Sequence, residues 1–237
     1  MALKDNLVSH LKFDGTIAAN TRIDSHGEVH FQPFTSIPVG TGKLGNCATI
    51  ASSNYLSPVA NKASVWTPGN VDFACGLWVK LGTLTGSLQV IIGKYNTASL
   101  REWCLYYDHA TSQFGIFVSH DGVATSTKLA TTFGAVSTGV WYYLFGYHQA
   151  STLAGISVNA GTRDTVSHTT GVYQGAAEVR IGQTAGVMPF NGDVDEVSFW
   201  SGGIPSTADV SEIYNSGSGL AFSLWDPVAS TVICRRS

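Results

Sequence analysis

The chain has 237 residues, of which 12% are charged, and its formal net charge is −3. This length suits one large β domain or two small domains, and either arrangement can bury a sizeable core. Lys and Arg form no cluster, so nucleic-acid binding is not predicted. The sequence shows no signal peptide and no run of about 18 apolar residues, so neither export nor membrane insertion is predicted.

The composition is typical of a β-sandwich, since Gly (26 residues), Ser, Thr, Val and Ala are frequent. The aromatic content of 11% is too high for a disordered chain. With no internal repeat and no linker, we expect a single domain over residues 1–225. Apolar alternation or a short apolar run predicts strands at residues 7–13, 73–81, 88–94, 102–108, 114–120, 141–148, 155–159 and 178–182.

Residues 15–72 are rich in turn signals and show few clear strands. They include Gly40-Thr41-Gly42-Lys43-Leu44-Gly45, which is literally a GxGxxG sequence. A dinucleotide fingerprint needs a strand before it and a helix after it. No helical pattern follows in residues 46–55, so nucleotide binding is not predicted.

One helix is predicted near the C-terminus. Ser206 can cap it, and Asp209 stands three residues further on, as in a capping box. Gly217 is expected to end the helix. Residues 220–224 are then interpreted as a last strand, and residues 226–237 as a weakly structured tail.

The four cysteines are too far apart for a CxxC zinc or redox motif; they are Cys47, Cys75, Cys104 and Cys234. Cys75 alternates with Phe73 and Leu77, which predicts a small buried hydrophobe. Because no export signal is seen, the thiols are expected to be reduced.

The stretch 190–200 begins with the turn signal Asn191-Gly192 and continues as a strand pattern. In a regular strand Asp195 shares a face with Val197 and Phe199, so its carboxylate is expected to point into the core. A buried charge must be paired, metal-bound or hydrogen-bonded to backbone N–H groups. Asp195 is therefore the most informative residue of the chain.

Enzymatic activity is not predicted. Asp193 and Asp195 lie on one strand face, near the spacing of roughly 5 Å that a retaining glycosidase needs between its carboxyl groups. However, Val197 and Ser198 stand where a third carboxylate would be expected. The sequence also contains no Gly-x-Ser-x-Gly and no HExxH motif.

Several segments together resemble laminin-G-like, concanavalin A-like jelly-roll domains. They are residues 7–14 with Asp24-Ser25-His26-Gly27, residues 42–46, residues 73–80, Gly139-Val140-Trp141, and residues 192–197 with the helix that follows. The resemblance covers about residues 5–224. It implies an all-β fold, an antiparallel two-sheet jelly-roll sandwich with one short C-terminal helix and with adjacent N- and C-terminal strands.

The resemblance also implies a structural calcium ion beside Asp195. Asp14 and Asp24 are the acidic residues near the N-terminal strand that would share this metal site, since Ca²⁺ prefers oxygen ligands. The alternative is that Asp195 accepts backbone N–H groups of a neighbouring loop.

A lectin-like function requires exposed aromatic side chains for stacking on sugar rings and amide or carboxylate groups for hydroxyls. The ligand-binding candidates are Trp66, Tyr95, Asn96, Trp103 and Tyr107. Core packing is the alternative for each of them, and the sequence leaves both open.

The N-terminal segment also resembles stand-alone family members among bacteriophage structural proteins. This implies a non-enzymatic virion surface protein, made in the host cytoplasm, that decorates a capsid or tail. Its partners would be capsid or tail proteins, and a homo-oligomer such as a trimer is expected, with residues 1–6 and 226–237 as arms. The alternative is a carbohydrate-binding adhesion module that engages host-surface glycans.

Overall fold

The computed structural model describes residues 2–17, 21–27, 29–51, 54–59, 63–84, 88–96, 99–184 and 188–226. Within these ranges sixteen strands and one α-helix form most of the regular structure. The elements are β1 (Leu7–Ile17), β2 (Thr21–Asp24), β3 (Phe31–Pro33), β4 (Val39–Thr41), β5 (Asn46–Ile50), β6 (Leu56–Pro58), β7 (Phe73–Leu81), β8 (Gln89–Tyr95), β9 (Arg101–Asp108), β10 (Gln113–Ser119), β11 (Thr125–Leu129), β12 (Trp141–Gln149), β13 (Thr152–Val158), β14 (Asp164–His168), β15 (Val179–Ile181), β16 (Gly192–Ser201) and α1 (Thr207–Tyr214).

The strands pair antiparallel into one continuous sheet in the order β11-β10-β9-β8-β15-β6-β3-β2-β1-β16-β7-β12-β13-β14. The hairpin β4–β5 lies beside this path, and β5 also pairs with β16. The sheet folds over, so that a front half (β11 to β3) faces a back half (β1 to β14) across the main core. This confirms the predicted all-β jelly roll, in which the first and last strands are neighbours.

The main core is lined by alternate residues of each strand, as the period of two in a β-strand requires. In β9, Trp103, Leu105 and Tyr107 are buried in this core, whereas Cys104 and Tyr106 belong to a separate cluster on the outer face of the front half. Burying a large apolar side chain contributes about 1.5–3 kcal/mol. Core packing therefore fixes which residues of each strand are left for the outer faces.

The outer face of the back half is covered by the C-terminal cap, which comprises residues 207–225. One hydrophobic cluster joins cap and sheet; its members include Trp78, Tyr143, Phe145, Trp200, Val210, Ile213, Phe222 and Trp225. The rings of Trp200 and Trp225 stack with their centroids 6.0 Å apart. The cap thus occupies the apolar outer surface of this half.

The predicted helix and its capping box are confirmed. The Ser206 hydroxyl accepts the N–H of Asp209 at 3.2 Å, and the Asp209 carboxylate accepts the N–H of Ser206 at 2.8 Å. The helix ends at Tyr214 and not at Gly217, because Asn215 adopts the left-handed conformation that closes it.

The predicted last strand at residues 220–224 is wrong. Phe222–Leu224 form a 3-10 turn, which places Phe222 and Trp225 on the same side of the chain, against the back half. An alternating strand would have turned one of these rings away.

The predicted N-terminal arm is also wrong for the described residues 2–6. Leu3 is buried in the cluster beneath the cap. Lys4 Nζ lies 2.8 Å from a carboxylate oxygen of Asp226, so the two ends of the domain are tied together. The predicted tail beyond Asp226 lies outside the described residues.

A β-bulge in β16 overturns the predicted orientation of Asp195. Val194 and Val197 are both buried in the main core, although they are three residues apart. The register with β7 shifts between Asp195 and Ser198, and Glu196 has a positive φ of 49°. Asp195 therefore lies on the face opposite to Val197 and is paired with Trp78 of the outer cluster.

Several strands are absent from the sequence prediction. Five of them (β2 to β6) lie between residues 15 and 72 and have only three to five residues each, too few for a clear alternation. The others, β11 and β14, are the two edges of the sheet and carry Thr and Ser in place of core residues.

Cys47, Cys75 and Cys104 are buried free thiols. The prediction that Cys75 is a small core residue is confirmed. Cys234 lies outside the described residues.

We expect the C-terminal cap to be an integral part of the fold. Trp225 is 2% exposed, so Trp225→Ala should lower the free energy of unfolding by about 3–5 kcal/mol through lost burial and a cavity. Leu224 is the control, since it is 62% exposed and Leu224→Ala should change stability by less than about 0.5 kcal/mol. Urea unfolding of both variants measures this, and equal stabilities would refute the role of the cap.

Candidate functional site

Asp195 holds the turn of the β4–β5 hairpin. Its Oδ2 accepts the backbone N–H groups of Lys43 and Leu44 at 2.8 and 2.9 Å, and its Oδ1 accepts the N–H of Glu196 at 2.8 Å. A Cβ on Gly42 would lie 2.6 Å from Oδ2, so the turn approaches this closely only with glycine there. The GxGxxG sequence is therefore a hairpin shaped around a carboxylate.

Asp14 holds the same β4–β5 hairpin, and Asp24 holds a different loop. Asp14 Oδ1 accepts the N–H of Asn46 at 2.8 Å, and its other oxygen pairs with Lys12. The Asp24 carboxylate accepts four backbone N–H groups; their donors are His10, His26, Gly27 and Val29. Asp14 and Asp195 thus share the β4–β5 hairpin, and Asp24 fixes the loop that follows β2.

This geometry does not fit a calcium ion shared by Asp14, Asp24 and Asp195. The oxygens face N–H donors, whose positive ends repel a cation, and Ca²⁺ needs six to eight oxygen ligands. Across the described part of the chain, no three His, Cys, Asp or Glu side chains are grouped to hold a metal. The hydrogen-bonded alternative for Asp195 is the one observed.

The two carboxylates considered for glycosidase chemistry are both engaged. Asp193 Oδ2 lies 2.7 Å from Lys80 Nζ. Asp195 is fully buried, and burial raises its pKa to about 8 while the N–H groups of Leu44, Glu196 and Lys43 act in the opposite direction. A glycosidic bond cannot reach Asp195 beneath the hairpin turn.

A buried polar cluster, not predicted from the sequence, joins the first and last strands. His10 Nδ1 lies 2.8 Å from Ser198 Oγ, and His10 Nε2 lies 2.8 Å from Glu196 Oε2. Burial lowers the pKa of His10 to about 3 and raises the pKa of Glu196 to about 8. A neutral Glu196 that donates to Nε2, and an Nδ1–H that donates to Ser198, satisfy this geometry.

The order of groups in this cluster is that of a Ser–His–acid triad, but its position is structural. All three side chains are buried. The Phe222 ring stacks on His10 with centroids 4.0 Å apart, and Trp225 lies beside it. With the C-terminal cap in place, Ser198 is closed to a substrate, so the cluster fastens β1 to β16 beneath the cap.

Three of the predicted ligand-binding residues are core residues, and the prediction is wrong for them. Trp66, Trp103 and Tyr107 are all buried in the main core. The Trp66 ring stacks on Phe199 at 4.5 Å, and Trp103 stacks on the same ring at 5.4 Å. A sugar cannot stack on these faces because other rings already cover them.

Tyr95 and Asn96 have different positions. Asn96 follows β8, is half-buried and donates its backbone N–H to Leu100. Tyr95 faces outward from the front half and meets the edge of the Phe117 ring at 5.5 Å. Tyr95 lines a concave site.

This site, the front pocket, is an open cavity of about 250 Å³ on the outer face of β8–β11. Aromatic and apolar side chains form most of its lining, and a guanidinium and two hydroxyls complete it. The lining residues are Leu88, Tyr95, Arg101, Tyr106, Phe117, Thr125, Thr127 and Met188. An apolar hollow with a few polar groups is the usual form of a small-ligand site.

Strand alternation builds the front pocket. Tyr106 of β9 and Phe117 of β10 point outward because Leu105 and Ile116 beside them are in the core. Gly115 is paired with Tyr106 across the two strands, and a Cβ there would collide with the Tyr106 ring, which therefore lies flat across the sheet. Both faces of this hairpin are apolar, so no alternation in the sequence marks Tyr106 and Phe117 as its outer residues.

The same outer face carries an aromatic stack near its other edge. The rings of Phe34 and Tyr55 are 4.9 Å apart and nearly parallel, and the Arg180 guanidinium lies 4.1 Å from the Tyr55 centroid. Phe34 is 66% exposed. The front half thus presents aromatic side chains at two places.

A sequence model of the family described as the Concanavalin A-like lectin/glucanases superfamily (Laminin_G_3) matches residues 52–210. The match covers more than half of the chain, which therefore belongs to this superfamily. No curated protein matches the chain. None of the helices in the described ranges combines the length and the apolar character needed to cross a bilayer.

The fold is similar to domain 4 of AbnA, a GH43 extracellular arabinanase from Geobacillus stearothermophilus, in complex with arabinotriose: 18% identity, TM-score 0.66, 87% of this chain and 97% of that chain. It is similar to the binding domain of botulinum neurotoxin DC in complex with rat synaptotagmin II, with 12% identity and a TM-score of 0.69 over 90% of this chain and 52% of that chain. It is also similar to the binding domain of Paraclostridial Mosquitocidal Protein 1, with 12% identity and a TM-score of 0.71 over 91% of this chain and 53% of that chain. The chain spans about half the length of the two toxin binding domains.

We expect Asp195 to stabilise the fold through its hydrogen bonds and not through a metal. Excess chelator and millimolar calcium should give the same melting temperature. Asp195→Asn should cost about 1–3 kcal/mol, because the amide turns an NH₂ group toward backbone donors. Asp193→Asn, which breaks a partly exposed ion pair, should cost less than about 1 kcal/mol. A calcium-dependent rise in melting temperature that Asp195→Asn abolishes would contradict this assignment.

The His10–Glu196 pair should give stability a flat optimum in pH. Between pH 6.5 and 8 the folded pair holds a proton that the unfolded pair has lost, so stability falls with rising pH. Between pH 4.5 and 6.5 both states hold one proton. Below pH 4.5 the unfolded pair holds one proton more, so stability falls toward pH 3. Each slope is at most about 1.4 kcal/mol per pH unit.

Glu196→Gln tests this pair by chemical unfolding over the same pH range. The variant keeps a donor for His10, but the side chain at position 196 cannot ionise. Its loss of stability above pH 6.5 should therefore be smaller, and its loss of stability on acidification should begin near pH 6.5, where unfolded His10 gains a proton that folded His10 does not. Burial, the main cause of the raised pKa of Asp195, is the same in both proteins, so most of the Asp195 contribution cancels in the difference; the smaller part that comes from the Glu196 charge does not. Parallel stability profiles for the two proteins would refute the shared proton.

Proposed function

We propose that the chain is a non-enzymatic, lectin-like module that binds a glycan in the front pocket. The observation that supports this proposal most directly is the open, aromatic-lined hollow on the outer face of the front half. A sugar ring has apolar C–H faces that pack on aromatic rings and hydroxyls that need polar partners. Tyr95, Tyr106 and Phe117 line the hollow with the small exposed parts of their rings (7%, 4% and 9% exposed), and Thr125 and Thr127 supply exposed hydroxyls.

The contrast between the two halves supports this choice of surface. The apolar outer face of the back half is packed beneath the C-terminal cap. In the described part of the chain no helix lies over β8–β11, where Leu88, Leu129 and Met188 are partly buried and pack against the aromatic cluster. A volume of about 250 Å³ suits a group the size of one sugar ring. The pocket therefore fits the end or a branch of a glycan better than a long internal stretch.

The comparisons support a binding role in two ways. The AbnA domain, which this chain covers almost completely, is in complex with arabinotriose. The neurotoxin binding domain is in complex with a synaptotagmin, so a protein ligand is the competing outcome. The hollow shape and hydroxyl-bearing rim of the front pocket favour the sugar.

A place on a virion is a further proposal, which rests on the resemblance of residues 7–14 to bacteriophage members of the family. In that setting the module would dock on capsid or tail proteins as an oligomer and present the front pocket to host glycans. Binding of the purified chain to particles that lack it tests this location. A monomer with no affinity for such particles would refute it.

Filling the front pocket should abolish glycan binding. Thr127 is exposed on the edge strand β11, so Thr127→Trp can place an indole in the hollow without removing a core residue. We expect at least about a tenfold loss of affinity, equivalent to about 1.4 kcal/mol. Thr165→Trp is the matched control, because Thr165 is exposed on the other edge strand, β14, and its replacement should have no effect.

A glycan array followed by calorimetry on the strongest ligand measures both variants. Binding that survives Thr127→Trp would place the site elsewhere. A blank array would refute the lectin role, and loss of binding in both variants would indicate a general structural effect.

A further inference from the structure

Two arginines on the outer face of the front half stack on tyrosines, and they differ in one respect. Arg180 lies over Tyr55, and its Nε donates to the Glu178 carboxylate at 2.9 Å. Arg101 lies over Tyr95 with 5.7 Å between the guanidinium carbon and the ring centroid. Its Nη1 donates to the carbonyl of Val123 at 2.8 Å. Within the described residues, Arg101 Nε is shielded from water and has no acceptor.

An unpaired donor of this kind is unfavourable, because a buried N–H that has lost water and gained no partner retains its full desolvation cost. Arg101 is also one of the residues that line the front pocket, where the polar groups beside it are the hydroxyls of Thr125 and Thr127. No Asp or Glu is among the lining residues. The pocket therefore holds a positive charge without a carboxylate of its own.

We propose that Arg101 recognises a carboxylate on the glycan bound in the front pocket, so that the preferred ligands are acidic sugars. The proposal rests on the lectin role proposed above and adds the class of sugar. The ligand carboxylate accepts hydrogen bonds from the Arg101 guanidinium, as the Glu178 carboxylate does from Arg180. A guanidinium presents a planar fork that matches the two oxygens of a carboxylate, and such charge-assisted hydrogen bonds are about twice as strong as neutral ones.

The geometry assigns a role to each side of the sugar. The stack on Tyr95 and the bond to the Val123 carbonyl hold the guanidinium in place, so little side-chain freedom is lost on binding. The Tyr106 and Phe117 rings pack on the apolar face of the sugar, and the threonine rim faces its hydroxyls.

The experiment compares sugars that differ by one carboxylate. Methyl β-D-glucuronide is titrated against methyl β-D-glucoside, and 3′-sialyllactose against lactose, by calorimetry on the full chain. We expect the acidic member of at least one pair to bind about tenfold tighter or more, with an advantage that shrinks at high salt. The two pairs distinguish a uronic acid from a sialic acid as the source of the carboxylate.

Arg101→Gln should reduce the ratio of acidic-sugar to neutral-sugar affinity to about one, because it removes the charged fork from the pocket lining. Arg101→Lys should keep part of the preference, because it retains the charge but not the fork. Arg180→Gln is the matched control, since its guanidinium makes the same kind of stack but already has a carboxylate partner. It should leave both affinities unchanged. The melting curve of each variant verifies that it is folded.

The possible results separate this proposal from the lectin role. Equal affinity for the acidic and neutral sugars, lost in Thr127→Trp, would refute the role of Arg101 and keep the front pocket as a glycan site. An acidic preference that Arg101→Gln leaves intact, or that Arg180→Gln removes, would also refute it. Absence of binding to every sugar would overturn both proposals.

Discussion

The bulge at Asp195 and Glu196 is the constraint on which the arrangement of the two faces depends. Before it, β16 pairs with β5 and β7, and after it β16 pairs with β1 and β7. The extra residue keeps Val194 and Val197 in the same core while the neighbouring strand changes. It also frees two carboxyl groups from the alternation of the strand. Asp195 holds the β4–β5 turn, and Glu196 joins the His10 cluster beneath the cap.

These contacts explain why the back half is closed and the front half is the surface available for function. The His10 cluster lies beneath Phe222 and Trp225, so the polar groups of β1 and β16 and the rings of the cap form one buried unit. On the front half, partly buried residues such as Met188 pack against the outer aromatic cluster, and no helix of the described ranges lies over it. The hollow over β8–β11 combines aromatic side chains, a guanidinium with no carboxylate among the lining residues, and access from solvent.

Much of the fold followed from the sequence, because long core strands such as β7 and β12 and the capped helix carry clear local patterns. The carboxylate Asp195 was identified as decisive, but its direction was predicted wrongly. A bulge adds one residue to a strand and has no apolar signature of its own. A strict period of two ignores this extra residue and therefore assigns Asp195 to the same face as Val197. The alternative of backbone hydrogen bonds did not depend on direction and was the correct one.

The candidate site was less predictable for a similar physical reason. Trp66, Trp103 and Tyr107 are aromatic residues near turns, and only the folded core shows that other rings cover them. Tyr95 was identified, but its partners Tyr106 and Phe117 lie on strands whose inward residues are equally apolar. When both faces of a strand are apolar, alternation does not mark the outer one. Arg101 is informative only through its missing acceptor, which no sequence pattern displays.

The most direct test of the front pocket uses a methyl group that lies in it. The chain has two methionines, Met1 and Met188, and Met188 lines the pocket. With ¹³C-methyl-methionine, titration of the strongest glycan from the array should shift the Met188 methyl resonance with the same saturation as calorimetry, and leave Met1 unchanged. A glycan that saturates in calorimetry while the Met188 resonance stays fixed would contradict the assignment of the front pocket as the binding site.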